Sequence, residues 1–440
     1  MVWALDMDLG GWDPIVRVLP FLAGAVILAV TFGSLIRTMV IPRDRVSSLY
    51  AVIIRTNDTI FRALMRMRRD FATRDRVLAW SGVMGIILAL IVWLASFLLA
   101  YGLMIFGVSR GGFIDSILQA GSGLFTLGVL GQPTGSVTAV DFLAAMTGPA
   151  VIALLIGFLP TLYSAYLNRE DQVLVSSALT GAPAWGPEML CRSQLINGSD
   201  NLPNIYQQWV EWAAQLRLTQ SLYPALNRFR SPVGSRNWLI SLLATMDSAA
   251  LRLAVHTAKP DVRTVALLEQ GAQTILSLYA TEVEIRQALP FRRWSRRLEV
   301  TLSIFGISSR KGSSGQEFTG PSAGLTPQTV AVAKALTIDN LRGRLSDVKD
   351  VFDEYATQLS TITREEFDHA LDLMRRAGVD MDRDPDEAFD IFRHERGRYE
   401  SAAYNLAELL YVVRAPWSGS RKPPTPFLWP TFAVDQLSDS

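Results

Sequence analysis

Hydrophobic residues are concentrated in the first 168 positions, where they form three long runs that carry almost no charge. The first run covers residues 18–42. The second has no charged residue between Arg76 and Arg110, and the third has none between Asp141 and Arg169. About 20 consecutive apolar residues are enough for a helix to cross the hydrocarbon core of a bilayer. The pattern therefore predicts three transmembrane helices.

A glycine-rich stretch, residues 120–131, lies between the second and third runs and follows a short amphipathic segment at 113–120. Glycine-punctuated backbone at membrane depth is tolerated where protein buries it or where it lines a water-filled cavity. Carbonyl oxygens from such a segment can replace the hydration shell of an ion. A helix that leads into the stretch would direct its C-terminal dipole into the membrane and favour a cation there. The sequence therefore predicts a re-entrant pore loop.

The loop between the first two runs sets the predicted topology. Residues 43–77 carry nine arginines and four aspartates, and the positive-inside rule places such a loop in the cytoplasm. The N-terminus and residues 109–140 are then outside, and the chain from Arg169 onward is cytoplasmic. The arginine-rich segment also has amphipathic periodicity. It can serve as a topology determinant with a solvated face, or it can lie on anionic membrane lipids.

Beyond Asn168 the sequence is charge-rich, with helical periodicity and few strand signals. We expect an all-α cytoplasmic domain over 169–305. A serine- and glycine-rich segment at 306–327 is typical of a disordered linker. A further helical segment with a proline-rich tail occupies 328–440. The predicted fold class is thus an all-α membrane protein with three transmembrane helices and a re-entrant pore loop, followed by an all-α cytoplasmic domain.

Composition removes several classes of function. The formal net charge is +1, so no global field favours nucleic acid. A lone cysteine, Cys191, and three histidines without ligand spacing give no metal site and imply no cofactor. The sequence contains no nucleophile arrangement and no phosphate-binding glycine loop, so we expect no enzyme. Arginine outnumbers lysine 37 to 5, which is typical of a GC-rich bacterial genome.

The order of span, short helix, glycine-rich loop and span resembles the two-transmembrane pore module of the potassium channel superfamily. In that family the loop reads threonine-x-glycine-aromatic-glycine, and Thr126, Leu127 and Gly128 match its first half. Val129 stands where the family has an aromatic residue, and Leu130 where it has the second glycine. The resemblance covers about 90 of the 440 residues.

The resemblance implies an ion filter and a gating hinge. The filter would consist of Thr126, Leu127, Gly128 and Val129. In the resembled family helix breakers in the inner helix act as hinges, although glycine and proline are also generally enriched in transmembrane helices. The corresponding breakers in the third run are Gly148, Pro149, Gly157 and Pro160. Four subunits supply the ring of carbonyls in that family, so we expect a homotetramer.

Two acidic residues flank the predicted outer mouth. Asp115 and Asp141 could concentrate cations by their local field, or each could be a solvated charge at the membrane interface. The sequence as a whole predicts a bacterial inner-membrane channel for monovalent cations, with a helical cytoplasmic domain that regulates or assembles it. The alternative is a non-conducting, membrane-anchored binding or scaffold protein that retains channel architecture. The changes at Val129 and Leu130 favour that alternative.

Overall fold

The fold is helical throughout the part of the chain that the structure describes. The computed structural model describes residues 13–40, 47–66, 71–109, 111–128, 135–181, 183–196, 199–232, 236–287 and 356–412. No strand occurs among these residues. The predicted all-α fold class is confirmed for them. The chain divides into two compact units, Met1–Ala63 with Val83–Ser164 and Leu64–Gly82 with Ala165–Ser440.

The described ranges contain twelve α-helices. In chain order they are α1 (Asp13–Met39), α2 (Ser48–Arg66), α3 (Phe71–Val108), α4 (Phe113–Leu124), α5 (Gly135–Thr180), α6 (Gly186–Leu195), α7 (Leu202–Leu222), α8 (Trp238–Val255), α9 (Val262–Gln287), α10 (Ala356–Leu359), α11 (Arg364–Arg376) and α12 (Pro385–Leu410). Short 3-10 helices occur at Ser199–Asn201 and Pro224–Arg228.

Four of these helices contain stretches long and apolar enough to cross a membrane: Arg17–Met39, Thr73–Val108, Val137–Thr180 and Trp238–Val255. The first three lie in α1, α3 and α5, where the hydrophobic runs predict spans, and only 22% of the most apolar window of each is buried within the chain. The fourth is α8, of which 89% is buried by protein. Several helices thus have the length and composition of membrane spans. The count of three crossing helices stays a prediction.

In the first unit, α1 and α3 pack side by side in opposite directions. Arg17 at the start of α1 donates to the backbone oxygen of Ser109 (Nη1–O 3.4 Å), just beyond the end of α3. Further along, the rings of Phe32 and Phe97 meet edge to face with centroids 6.4 Å apart. Because the partner on α3 recedes as α1 advances, the two helices are antiparallel. Such an arrangement suits two consecutive membrane-crossing helices.

Helix α2 begins on the surface that α1 and α3 share. The ring of Tyr50 stacks on that of Trp93 with centroids 6.2 Å apart, and Trp93 donates from Nε1 to Ser34 Oγ at 3.3 Å. Ser47, directly before α2, donates to the same Ser34 hydroxyl at 2.9 Å. The arginine-rich segment predicted at 43–77 therefore contains a helix whose first turn is anchored. It also contains the first turns of α3, which begins at Phe71.

The second unit has a core of large side chains built around α8. Trp185, Trp209, Trp238, Phe367 and Phe392 are each at most 1% exposed and belong to one continuous cluster. Helix α12 crosses α8 through a buried polar contact as well, since Tyr399 donates to Asp247 Oδ1 at 2.7 Å and Arg396 pairs with the same oxygen at 3.2 Å. The apolar side chains of α8 are therefore buried against other helices of the second unit.

Local signals explain several helix starts in this unit. The side chain of Asn237 accepts from the backbone N–H of Leu239 and caps α8. Thr363 and Glu366 form a reciprocal capping box at the start of α11, and Asp384 caps α12 ahead of Pro385. Each cap satisfies backbone N–H groups that have no partner inside the helix.

Some predicted boundaries differ from the observed ones. The third hydrophobic run ends at Asn168, but α5 continues without a break to Thr180. The run ends where charge appears, whereas the helix continues because its charged residues pack on protein: Arg169 and Glu170 are both buried. The predicted linker at 306–327 and the tail after residue 412 lie outside the described residues.

Candidate functional site

Helix α4 folds back along α3 instead of leading away from it. Its first residue, Phe113, contacts Phe106 with ring centroids 5.7 Å apart. One turn later Ile117 packs against Gly102, and the next contact is of Gly121 with Leu98. The partners on α3 recede in sequence as α4 advances. Helix α4 is therefore antiparallel to α3.

The same helix runs parallel to the beginning of α5. Gln119 donates from Nε2 to Asp141 Oδ2 at 2.7 Å, and Gly123 lies beside Ala144. At the end of α4, the carbonyl oxygen of Leu124 lies so close to Gly148 that a Cβ atom there would overlap it. Helix α4 is thus held between α3 and α5.

The C-terminal end of α4 lies beside the uncharged stretches of α3 and α5. Leu98 is well inside the uncharged stretch 77–109 of α3, and Gly148 is well inside the stretch 142–168 of α5. About eight residues of α3 separate the contacts at Phe106 and Leu98, which corresponds to about 12 Å along the helix axis. The loop that follows α4 therefore begins deep between apolar helices.

Residues 125–128, which follow α4, have unusual backbone angles. Thr126 has φ of 54° and Gly128 has φ of 63°, whereas Leu127 between them lies outside the left-handed region. The N–H groups of Thr126 and Leu127 donate to the carbonyls of Gly123 and Ser122 at 2.9 and 2.8 Å. These two bonds form a Schellman motif, in which the left-handed position is normally a glycine.

The four residues of this loop are exposed in the single chain. Leu127, for example, is 64% exposed, and no atom of the described residues lies within 4 Å of the position of a Cβ at Gly128. The last turn of α4 has no basic residue, so the partial negative charge of the helix end is not neutralised there. This part of the chain can attract a cation to the end of α4.

Three of the four predicted filter residues lie in the described part of the chain. Thr126, Leu127 and Gly128 lie together at the end of α4, and Val129 lies outside the described residues. Two residues of this loop, Thr126 and Gly128, have positive φ. The sequence indicates a positive φ only at Gly128, because glycine adopts it readily. Thr126 gives no such signal, because β-branched residues rarely adopt positive φ.

The two acidic residues predicted at the outer mouth occupy different environments. Asp115 is exposed in the first turn of α4, where the helix dipole favours a negative charge. Asp141 is half-buried and accepts the hydrogen bond from Gln119. The sequence indicates no role for Gln119, although it is the only amide side chain in α4. Asp141 therefore holds α4 to α5.

Helix α5 presents two different exposed faces between Pro149 and Ser164. Small or weakly polar residues recur on one face at spacings of three and four, and every one of them is exposed: Ala150, Ala153, Gly157, Thr161 and Ser164. Large apolar residues recur in the same way on another face, namely Ile152, Ile156, Leu159 and Tyr163. The second face is suited to lipid, and the first to water or a narrow pathway.

The four predicted hinge residues lie within α5, which stays helical across Pro149 and Pro160. Gly148 is closely packed against α4, whereas Gly157 has open space at its Cβ position. The structure gives Gly148 a packing function that the sequence did not indicate. The hinge itself stays a prediction for all four residues.

Other chemistry-bearing groups form no competing site in the described ranges. No cluster of three or more His, Cys, Asp or Glu residues suited to a metal ion occurs there. Cys191 is buried in the core, and burial raises the pKa of its thiol to about 12. Since the thiolate is the nucleophilic form, this side chain is unreactive in the folded protein.

The fold and these helices define a class: an all-helical protein with several helices apolar enough to span a membrane, as in multi-pass membrane proteins. Comparison of the chain with protein-family models, with curated proteins and with solved structures found no match.

Proposed function

We propose that this protein is a cation-conducting channel of the bacterial inner membrane, with α4 as a re-entrant pore helix and residues 126–129 as its filter. The observation that carries the proposal is the course of α4, which runs back between α3 and α5 and ends in an exposed loop with positive φ at Thr126 and Gly128. Irregular backbone of this kind at membrane depth requires a protein-lined or water-filled environment.

Two further features support conduction of a cation. The end of α4 carries no basic residue and directs its partial negative charge toward the loop. The small-residue face of α5, from Ala150 to Ser164, is exposed and would let water or an ion pass beside the helix. One chain cannot surround an ion with these groups, so the channel is a homotetramer whose four loops meet on the axis.

The orientation follows from the arginines of residues 43–77, which favour the cytoplasmic side. The N-terminus and the loop after α4 are then outside, and the helical domain after α5 is inside. In this orientation the proposed filter lies in the outer half of the membrane. The helical domain regulates the channel or holds the tetramer together.

A flux assay tests the proposal. Purified full-length protein is reconstituted into liposomes, and efflux of K⁺, Na⁺ and Cl⁻ is compared with that of empty vesicles. We expect cation flux that Gly128→Leu abolishes, because a bulky residue at positive φ disturbs the loop. Gly33→Leu in α1 is the matched control, since a side chain there has open space. It should conduct normally.

Flux indistinguishable from empty vesicles, from protein shown to be tetrameric, would contradict the proposal. Unchanged flux from Gly128→Leu would place the pathway elsewhere. The second candidate function is a non-conducting, membrane-anchored scaffold. It is favoured by Leu130, which stands where the resembled channels need a second glycine. A tetramer without any flux is the result that this alternative predicts.

A further inference from the structure

A short segment of the second unit, residues 223–231, is the meeting point of several helices. It consists of Tyr223, the 3-10 helix Pro224–Arg228 and the three residues after that helix. The segment lies deep in the protein: Leu226 is fully buried, and Asn227 and Arg228 are also buried. A connection of this length would normally lie on the surface. Its burial indicates that its contacts have a function.

Helix α5 is hydrogen-bonded to the segment through a buried arginine. Arg169 donates from Nη1 to the carbonyl of Leu226 at 2.9 Å and from Nη2 to the carbonyl of Phe229 at 2.8 Å. Its side chain is 1% exposed and is also paired with Glu170. The ring of Tyr166, one turn earlier, lies 5.9 Å from that of Phe229.

Helix α3 holds the same segment from another side. Arg230 donates from Nε to Asp75 Oδ1 at 2.8 Å, and the ring of Phe229 lies directly against Gly82. Asp75 and Gly82 lie in the first turns of α3. The beginning of α3 and residues 166–170 of α5 are thus bound to one short stretch of backbone.

The remaining contacts connect the segment to the helical domain. Glu282 of α9 accepts two hydrogen bonds from Arg228, at 2.6 and 2.8 Å, and one from Asn227 at 2.7 Å. At the end of α12, the carbonyls of Leu410 and Tyr411 accept from Arg230 at 2.6 and 2.9 Å. Arg230 therefore bridges α3 and α12 directly.

We propose that the 223–231 segment is a mechanical coupling element, which transmits displacements of α9 and of the C-terminal end of α12 to α3 and α5. Charge-assisted hydrogen bonds in a buried setting are strong and directional, so the segment has to move with whichever helix is displaced. Since α3 and α5 continue as single helices to the residues that hold α4, such a movement would alter the conduction pathway. This last step rests on the proposed function, whereas the coupling does not.

Hydrogen–deuterium exchange on the full-length protein in lipid nanodiscs tests the coupling. Glu282→Gln weakens the attachment of α9 to the segment. We expect exchange at residues 75–82 of α3 and 166–172 of α5 to rise about tenfold, because local opening of those turns becomes easier. Glu269→Gln is the matched control: it weakens a similar pair, with Arg398 at 3.0 Å, that does not touch the segment. It should leave exchange in α3 and α5 unchanged.

Transmission from α3 to α12 is tested by Asp75→Asn, which removes one charge at a partly exposed position. The same variant replaces Glu282→Gln as the test if Glu282→Gln does not fold. Faster exchange at residues 404–411 of α12 supports the coupling. Exchange that changes only beside the substituted residue, in both variants, would overturn it. Liposome flux separates the two proposals. If neither the unsubstituted protein nor any variant conducts, the channel proposal fails and the coupling proposal is unaffected. If flux is normal but hydrogen exchange changes only beside the substituted residue, the coupling proposal fails and the channel proposal is unaffected.

Discussion

Thr126 is the residue at which the candidate site departs most from ordinary backbone geometry. A β-branched side chain at φ of 54° clashes with its own backbone, at a cost of about 1–2 kcal/mol. The Schellman motif imposes this angle, since its two backbone bonds fix the position after Phe125. A glycine would satisfy the motif without strain. The threonine therefore brings something other than stability, namely a hydroxyl at the start of the loop.

Substitution of this residue tests the strain. Thr126→Gly should raise the free energy of unfolding by about 1 kcal/mol, because glycine adopts positive φ without a steric penalty. The measurement is denaturant or thermal unfolding in detergent, followed by circular dichroism. Thr59→Gly in the middle of α2 is the control and should lower the stability by about 0.5 kcal/mol. A loss of stability at both positions would show that Thr126 is unstrained.

Prediction from the sequence had a clear limit at this scale. Gly128 was recognisable, because glycine marks positions of positive φ. Asp141 was recognisable as a charge near the loop, but its hydrogen bond with Gln119 depends on how α4 and α5 pack. The sequence predicts a hinge at Gly148, which stays a prediction, and its contact with Leu124 follows from the return of α4 along α3. Contacts between helices are not encoded in local spacing.

At the scale of elements, the decisive feature is how closely α4 approaches α5. The carbonyl of Leu124 occupies the space of a side chain at Gly148, so the two helices can meet only because this residue has no Cβ. The next helix breakers, Gly157 and Pro160, make no comparable contact in the described chain. Gly148 and Gly157 look alike in the sequence and differ entirely in surroundings.

Alanine at these two positions separates packing from flexibility. Gly148→Ala should destabilise the protein by about 1–3 kcal/mol, because the added methyl group forces α4 away from α5. Gly157→Ala should be neutral or slightly stabilising, since alanine favours helix and the site is open. Thermal unfolding in detergent distinguishes them. Equal effects at the two positions would argue against the close approach of α4.

The hydrophobic pattern predicted α1, α3 and α5 correctly as long apolar helices, and the helical periodicity predicted the domain that follows. It could not predict that α5 continues to Thr180. The charges that end the hydrophobic run, Arg169 and Glu170, pair with each other, and Arg169 also donates to a backbone carbonyl of the 223–231 segment. A charge normally indicates solvent, and only the tertiary structure shows that these two are buried.

At the scale of the whole molecule, the proposed channel requires several copies of the chain. The loop at 125–128 and the small-residue face of α5 are both uncovered in the single chain. A re-entrant loop open on one side cannot strip water from an ion. Both observations favour assembly around an axis, as the proposed channel requires.

The assembly state is directly measurable. Native mass spectrometry of the protein released from nanodiscs should give about 194 kDa, four times the 48.6 kDa of one chain. The proportion of tetramer should not depend on protein concentration over a broad range. Subunits that dissociated readily would open the pore wall and let the membrane leak, so we expect a stable tetramer. A monomer under conditions that preserve the fold would contradict the channel.

The burial of α8 has a consequence for synthesis of the chain. Its 18 residues are apolar enough to be taken for a further span, yet their cover includes α12, and 149 residues separate Asp247 from Arg396. At ribosomal speed this is a delay on the order of ten seconds, during which the nascent helix is uncovered beside the insertion machinery. Asp247 lies at its midpoint, where an aspartate opposes insertion by about 2.5–3.5 kcal/mol. The carboxylate that pairs with Arg396 in the folded protein thus opposes insertion of α8 into a bilayer while the chain is being made.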